Sequence, residues 1–330
     1  MHLKENLVDP TKFRILMIHG FAGSAEDFRA KSSPISARIN ELVTPEILSE
    51  FPGGIEFLYI DAPWMLEAPI GTLPEETDKS NIQLRAQDDP ETALLGWWYG
   101  RDTVSKYRGI EVSLSHVAQY IYGRPIHAIV SYSQGSALAG MVCSLLECHD
   151  NPDKISAIRA QGLPVDDFLH LPGQKPLRFF IGVAGYCGEY FWSLYRWPLQ
   201  TPSLHTLATF DAVVEHFQTM DLAHCFNYYE IVRYYGSHFT PRDRATVESL
   251  AQFALRNASI QTDSPLSSRF PRAATMTSVS DSDECGSDSS RSASSRLGLT
   301  VPVWSRSKRV NVTLSRRRRL ASSRSVPAFH

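Results

Sequence analysis

The chain has 330 residues, an apolar share of 43% and a formal net charge of −2. That is enough chain for one large domain or two small ones with a real core, and the near-neutral total gives no support to a nucleic-acid partner. The five cysteines are odd in number and form no CxxC pair, which argues against a disulfide framework and favours a reducing compartment.

The charge is unevenly spread. Residues 256–330 carry thirteen Lys/Arg against five Asp/Glu, a balance of +8, which leaves residues 1–255 at −10. An asymmetry of this kind divides the chain into a folded part and a tail. The polar start Met1-His2-Leu3-Lys4 has no signal-peptide core, and no apolar run approaches the roughly 20 residues of a membrane helix. The expectation is a cytoplasmic protein with no membrane span.

In chain order, short apolar runs at 13–18, 55–60, 125–130, 177–183, 203–208 and 228–235 read as buried strands. Helical stretches are expected at 34–48, 109–121, 134–148, 212–225 and 241–255. Strands alternating with helices predict an α/β fold with a mostly parallel sheet covered on both faces. The stretch 64–108 breaks that rhythm and ends in the aromatic group Trp97-Trp98-Tyr99. It reads as a cap or lid over a pocket, the alternative being an insertion that packs Trp97 and Trp98 against the domain.

After Leu255 the pattern stops: nineteen of the last 75 residues are serine, and residues 256–330 read as a disordered tail. The run Arg316–Arg319 is a solvated basic segment or, alternatively, a nuclear signal. Asn311-Val312-Thr313 matches a glycosylation sequon without a secretion signal to support its use.

Chemistry concentrates at the strand ends. Ser131-Tyr132-Ser133-Gln134-Gly135 lies between a strand and a helix, where a sharp turn lifts Ser133 above the sheet edge as a nucleophile. The helix N-terminus beginning at Gln134 favours a developing negative charge there. His19-Gly20-Phe21-Ala22-Gly23 ends the first strand. Its loop can aim the N–H of Phe21 or Ala22, together with that of Gln134, at an oxyanion, while His19 reads as a support for the loop. Asp211 follows the fifth strand and can either orient an imidazole or cap the next helix, with Asp221 a weaker rival. His238 follows the last strand on the same rim and can serve as the base, the alternative being a surface loop histidine. His216 and His224 fall within a helix and pair poorly with a serine at the sheet edge. The order Ser, Asp, His is the order α/β-hydrolases use.

His19-Gly20-Phe21-Ala22-Gly23-Ser24, Ala62-Pro63, Ser131 to Gly135, Asp211-Ala212-Val213-Val214 and Gly236 to Pro241 together resemble the motifs of the "family of serine hydrolases", eukaryotic α/β-hydrolases. The resemblance covers about residues 12–255; the family usually has glycine where this chain has Ser131, and the tail has no counterpart. It implies an α/β-hydrolase fold, a triad of Ser133, Asp211 and His238, and hydrolysis of an ester or thioester through an acyl-serine with no metal or organic cofactor. Trp97, Trp98 and Tyr99, with Tyr186 and Phe191, would line an apolar acyl pocket. The aromatic insertion and serine-rich tail resemble the fungal branch, several members of which act beside polyketide synthases. On that resemblance the partner is a small-molecule ester or an acyl-thioester on a polyketide synthase carrier domain. A general short-chain carboxylesterase is the alternative enzyme, and a non-catalytic hydrolase-fold binding protein the alternative of another class.

Overall fold

In the computed structural model of the chain, residues 10–67, 83–85, 94–99, 107–259 and 276–278 are described. Alternation builds the centre. Strand β1 (Phe13–Ile18) sends Phe13, Ile15 and Met17 to one core and Leu16 and Ile18 to another on the opposite face. Strands β2 (Ile55–Ile60), β6 (Ala128–Tyr132), β7 (Phe179–Val183), β8 (Ser203–Ala208) and β9 (Tyr229–Tyr234) join it in the order β9-β8-β7-β6-β1-β2, every pair parallel. A sheet buried on both faces needs continuous apolar strands, which is why these runs were legible.

Helices α1 (Ala25–Glu41) and α9 (Arg244–Ala258) cover one face, supplying Phe28, Ile35, Ile39, Leu250 and Phe253 to its core. Helices α3 (Ile110–Ile121), α4 (Gln134–Leu146), α5 (Pro152–Ala160) and α6 (Val165–Leu169) contribute to the core on the other face. Short helices α2 (Pro45–Glu50), α7 (Trp192–Tyr195) and α8 (His216–His224) complete the described set. Because β1 lies between β2 and β6, the chain leaves it on one side and returns on the other. The crevice beyond the carboxyl ends of β1 and β6 is where such a reversal opens a site.

Three elements depart from the sequence reading. Helix α1 begins at Ala25, capped by Ser24 Oγ accepting from Asp27 N at 3.1 Å, and runs through Pro34. Pro34 has no N–H for the carbonyl of Ala30, but Ser33 Oγ donates to that oxygen at 2.9 Å, so the helix survives the proline. Helix α8 starts at His216 because residues 211–214 are spent on a turn around Asp211. Within the stretch read as a disordered tail, Met276–Ser278 forms a strand β10 that pairs in parallel with β9, Met276 opposite Ile231. The bare edge of β9 offers unpaired backbone groups that a strand can meet, a cue the Ser/Arg composition hides. Arg316–Arg319 and the sequon at Asn311 lie outside the described residues.

The insertion is also more than a lid. Strand β3 (Trp64–Glu67) pairs antiparallel with β4 (Gln83–Arg85) and β5 (Leu95–Gly96), and Leu66, Leu95, Trp97, Trp98 and Tyr107 are buried. The expectation of a cap falls otherwise on 68–82, 86–93 and 100–106, which lie outside the described residues.

Two histidines fold into the sheet uncharged. His205, on β8 between Phe180 and Phe226, is fully buried, which pushes its pKa down to about 3. His127, before β6, is pushed down to about 4 by burial and then by the charges of Arg178 and Arg14. Both values lie below that of an unfolded histidine, so at acid pH the unfolded chain binds protons that the fold refuses. Their contribution is therefore complete above about pH 6.5 and shrinks as pH falls towards 4. For His205 the loss at about pH 5 is about 2 kcal/mol. Urea midpoints at pH 7.5 and 5 should show the drop, and His205→Phe should flatten the slope by one site's share.

Candidate active site

The end of β6 is bent by design of its neighbours. Ser133 has φ 52 and ψ −122, a left-handed conformation that costs a non-glycine residue energy. Its N–H donates to the Val183 carbonyl at 2.8 Å, and α4 begins at the next residue. Gly135 makes this possible: a Cβ there would stand 2.2 Å from the His19 carbonyl oxygen and 2.7 Å from that of Ile18. Ala22 and Ala184 are the other non-glycine residues with positive φ among those described, at 56 and 48. All three stand just beyond strands on the same edge of the sheet, and strain of this kind collects at functional sites.

Ser131 fits where glycine is usual because its hydroxyl has a place to go. It is fully buried, 3.0 Å from Ser136 Oγ, which in turn is 3.2 Å from the Val183 carbonyl. Two hydroxyls thus donate head to tail into the sheet.

The three loops beyond β6, β8 and β9 bring their chemistry together. His238 Nε2 lies 2.9 Å from Ser133 Oγ, and its Nδ1 lies 2.8 Å from Asp211 Oδ2. The Asp211 side chain is 3% exposed and that of His238 16%. Asp211 Oδ1 accepts from the N–H groups of Val213 and Val214, both at 2.9 Å, so the carboxylate orients the imidazole and shapes its own turn at once. With a carboxylate oxygen as the partner of Nδ1, the proton belongs on Nδ1 and the Nε2 lone pair faces the serine hydroxyl. Asp221 is exposed within α8, and His216 Nε2 is engaged with the Ala208 carbonyl at 2.7 Å; neither enters the constellation.

His19 is a support. Its Nε2 accepts from Ala62 N at 3.0 Å and its Nδ1 donates to the Gly20 carbonyl at 2.7 Å, while burial lowers its pKa and keeps it neutral. Phe21 and Ala22 follow in the loop beyond β1, and Gly23 joins Leu95 by paired backbone hydrogen bonds. Gln134, as the first residue of α4, has a backbone N–H without a partner inside the helix.

Trp97 and Trp98 require a correction. Expected to line an acyl pocket, they are 0% and 1% exposed and belong to the core, as does Phe191 at 4%. An indole with no free surface cannot meet a substrate. Trp97 Nε1 instead donates to the His19 carbonyl at 2.8 Å. The Gln134 amide grips the same segment, Oε1 accepting from Trp97 N at 2.9 Å and Nε2 donating to the Trp98 carbonyl at 3.0 Å. Tyr99 is partly buried and pairs its backbone with Arg108, and Tyr186 stands edge-on to Trp98. Gln134→Ala would strand two buried backbone groups at about 1–3 kcal/mol each. A lower urea midpoint with unchanged slope should report that loss.

Sequence reasoning missed two tyrosines. Tyr132 Oη donates to the His238 carbonyl at 2.7 Å, and Tyr234 Oη donates to the Phe239 carbonyl at 2.6 Å. Neither bond has a local sequence signal: the first joins residues 106 positions apart and the second spans a turn. A shallow concavity lined by Pro63, Glu111, Val112, Ser115, His116 and Gln119 contains none of these groups. Among the described residues no cluster of three His, Cys, Asp or Glu is placed to hold a metal ion, and no helix is long and apolar enough to cross a membrane.

The chain is similar to known proteins. The chain is 26% identical over 258 residues to the human protein named Esterase OVCA2, an alignment covering 73% of this chain and 96% of that one. It is 24% identical over 254 residues to Family of serine hydrolases 2 of Saccharomyces cerevisiae, covering 72% and 96%. The crystal structure of Zea mays acyl-protein thioesterase 2 is similar at a TM-score of 0.44 and 14% identity, over 75% of this chain and 94% of that one. A family model described as Serine hydrolase (FSH1) matches residues 8–250, and the chain therefore belongs to that family of α/β serine hydrolases.

Proposed function

We propose that this serine hydrolase cleaves a carboxylic ester or thioester through an acyl intermediate on Ser133. The observation that carries the reading is the relay from Asp211 Oδ2 to His238 Nδ1 at 2.8 Å and from His238 Nε2 to Ser133 Oγ at 2.9 Å. His238 takes the Ser133 proton as Oγ attacks the carbonyl carbon. The oxyanion turns towards the N–H of Gln134 and that of Phe21 or Ala22, a stabilisation typically worth about 3–4 kcal/mol per donor. His238 then protonates the departing alcohol or thiol. Water gives a proton to the same imidazole as its oxygen attacks the acyl carbon, and the acid leaves as His238 returns that proton to Ser133 Oγ, with Asp211 holding Nδ1 in place.

For the substrate, the reading that follows from the family resemblance is an acyl chain held as a thioester on a polyketide synthase carrier. The alternative, a carboxylesterase for short oxygen esters, is favoured by the esterase names of the relatives. Rates on acyl N-acetylcysteamine thioesters and on p-nitrophenyl esters of the same acids separate them. The thioesterase reading expects kcat/KM at least about tenfold higher on thioesters, about 1.4 kcal/mol of discrimination. A preference for short oxygen esters would overturn it.

A further inference from the structure

We infer that Tyr132 is a positioning residue that sets the distance between Ser133 and His238. The inference rests on the proposed roles of those two residues.

Tyr132 is the residue before the serine, so its backbone is part of the same bend. Its Oη reaches across 106 positions of sequence to donate to the His238 carbonyl at 2.7 Å. Its ring lies against the imidazole, centroids 5.1 Å apart and tilted by 39°. One side chain thus holds both the backbone and the ring of His238 while being anchored one residue from Ser133 Oγ.

The loop that carries His238 needs such a tie. Phe239 N donates to the Ser237 carbonyl at 2.7 Å, which closes a three-residue turn with His238 at its apex. The neighbouring side chains are largely solvated, Tyr235 being 79% and Phe239 68% exposed. Tyr234 secures the Phe239 carbonyl, but Tyr234 belongs to β9, the element that leads into this loop, so its bond fixes the turn's shape only. Asp211 holds Nδ1 from the loop beyond β8. Among these three, Tyr132 alone connects the imidazole's backbone to the strand that bears the nucleophile.

The surroundings are arranged to keep the ring where it is. Gly20 lies beside it, and a Cβ there would approach Tyr132 Cδ1 to 2.8 Å. Burial, followed by the nearby charges, raises the phenol's pKa, so Tyr132 stays a donor across the pH range of turnover.

Tyr132→Phe removes the hydroxyl and keeps the ring. Active sites are first counted with a fluorophosphonate, and turnover of p-nitrophenyl acetate is then measured per titrated site at 25 °C and at 10 °C. The expected result is a fall of about tenfold in kcat per site with KM unchanged, because the serine–imidazole alignment is lost and substrate contacts are not. A purely structural role would lower the number of titratable sites and leave kcat per site at the wild-type value, at either temperature; that result overturns the inference. Wild-type turnover together with an inert Ser133→Ala shows that the underlying reading stands. If Ser133→Ala keeps its activity, that reading fails first and the inference falls with it.

Discussion

Ser133→Ala is expected to lower ester turnover by about 10⁴- to 10⁶-fold while the protein stays folded. In the proposed mechanism the hydroxyl is the atom that attacks, and no neighbour can replace it: Ser131 Oγ is buried and bonded to Ser136, and Ser136 Oγ lies against the Val183 carbonyl. Alanine keeps the Cβ and the backbone N–H that bonds Val183, so the bend persists with the same strain. His238→Ala should cost a similar amount, since the proposed mechanism sends the proton across the 2.9 Å contact to Oγ. Removing both should cost little more than removing either, because residues that act as one unit are not additive. Asp211→Asn should leave the fold intact and reduce kcat by about 10⁴-fold, the amide no longer holding the imidazole in the tautomer that frees Nε2. Matched activities of the double and single variants, with far-ultraviolet spectra equal to wild type, would establish the set as one device.

Gly135→Ala is expected to damage both fold and chemistry. The added methyl would sit 2.2 Å from the His19 carbonyl oxygen, 2.7 Å from that of Ile18 and 2.9 Å from Ile18 Cγ2. Two of these are backbone atoms of the last residue of β1 and the residue after it, which cannot rotate away as a long side chain would. Strand β1 must part from α4, breaking the closest approach in the crevice. Overpacking of this kind costs about 3 kcal/mol or more when the obstacle is backbone. The displaced segment leads into Phe21 and Ala22, so the folded fraction should also lose kcat. Urea unfolding gives the first effect and turnover per titrated site the second. A variant with wild-type stability would mean that the elbow is looser than its geometry.

How much of this could be read beforehand depends on range. Strands β1, β2 and β8 begin and end where their apolar runs do, although Arg14, Glu56 and His205 lie within them. Ser133, Asp211 and His238 stand out in the sequence by their places after strands, and parallel strands bring all such places to one rim, where the three side chains lie within hydrogen-bond distance. What escaped depends on distant partners. Trp97 and Trp98 looked like pocket residues because nothing local shows that Gln134 and the His19 carbonyl would draw them inward. Tyr132 carries no mark of the bond it makes 106 positions away. The helix expected over 34–48 in fact begins at Ala25 and runs through Pro34, where Ser33 Oγ meets the carbonyl that the proline leaves without a donor. Helix α5 was overlooked although its signals are local, with Asn151 accepting from Lys154 N at 2.9 Å and Pro152 as its first residue.

The most direct measurement is covalent. Purified full-length protein is treated with a fluorophosphonate and digested, and the modified peptide is identified by mass spectrometry. The expected adduct is a single phosphonyl group on Ser133, formed in the wild type, slowed in His238→Ala and absent in Ser133→Ala. Labelling on another residue, or labelling that persists in Ser133→Ala, would contradict the account.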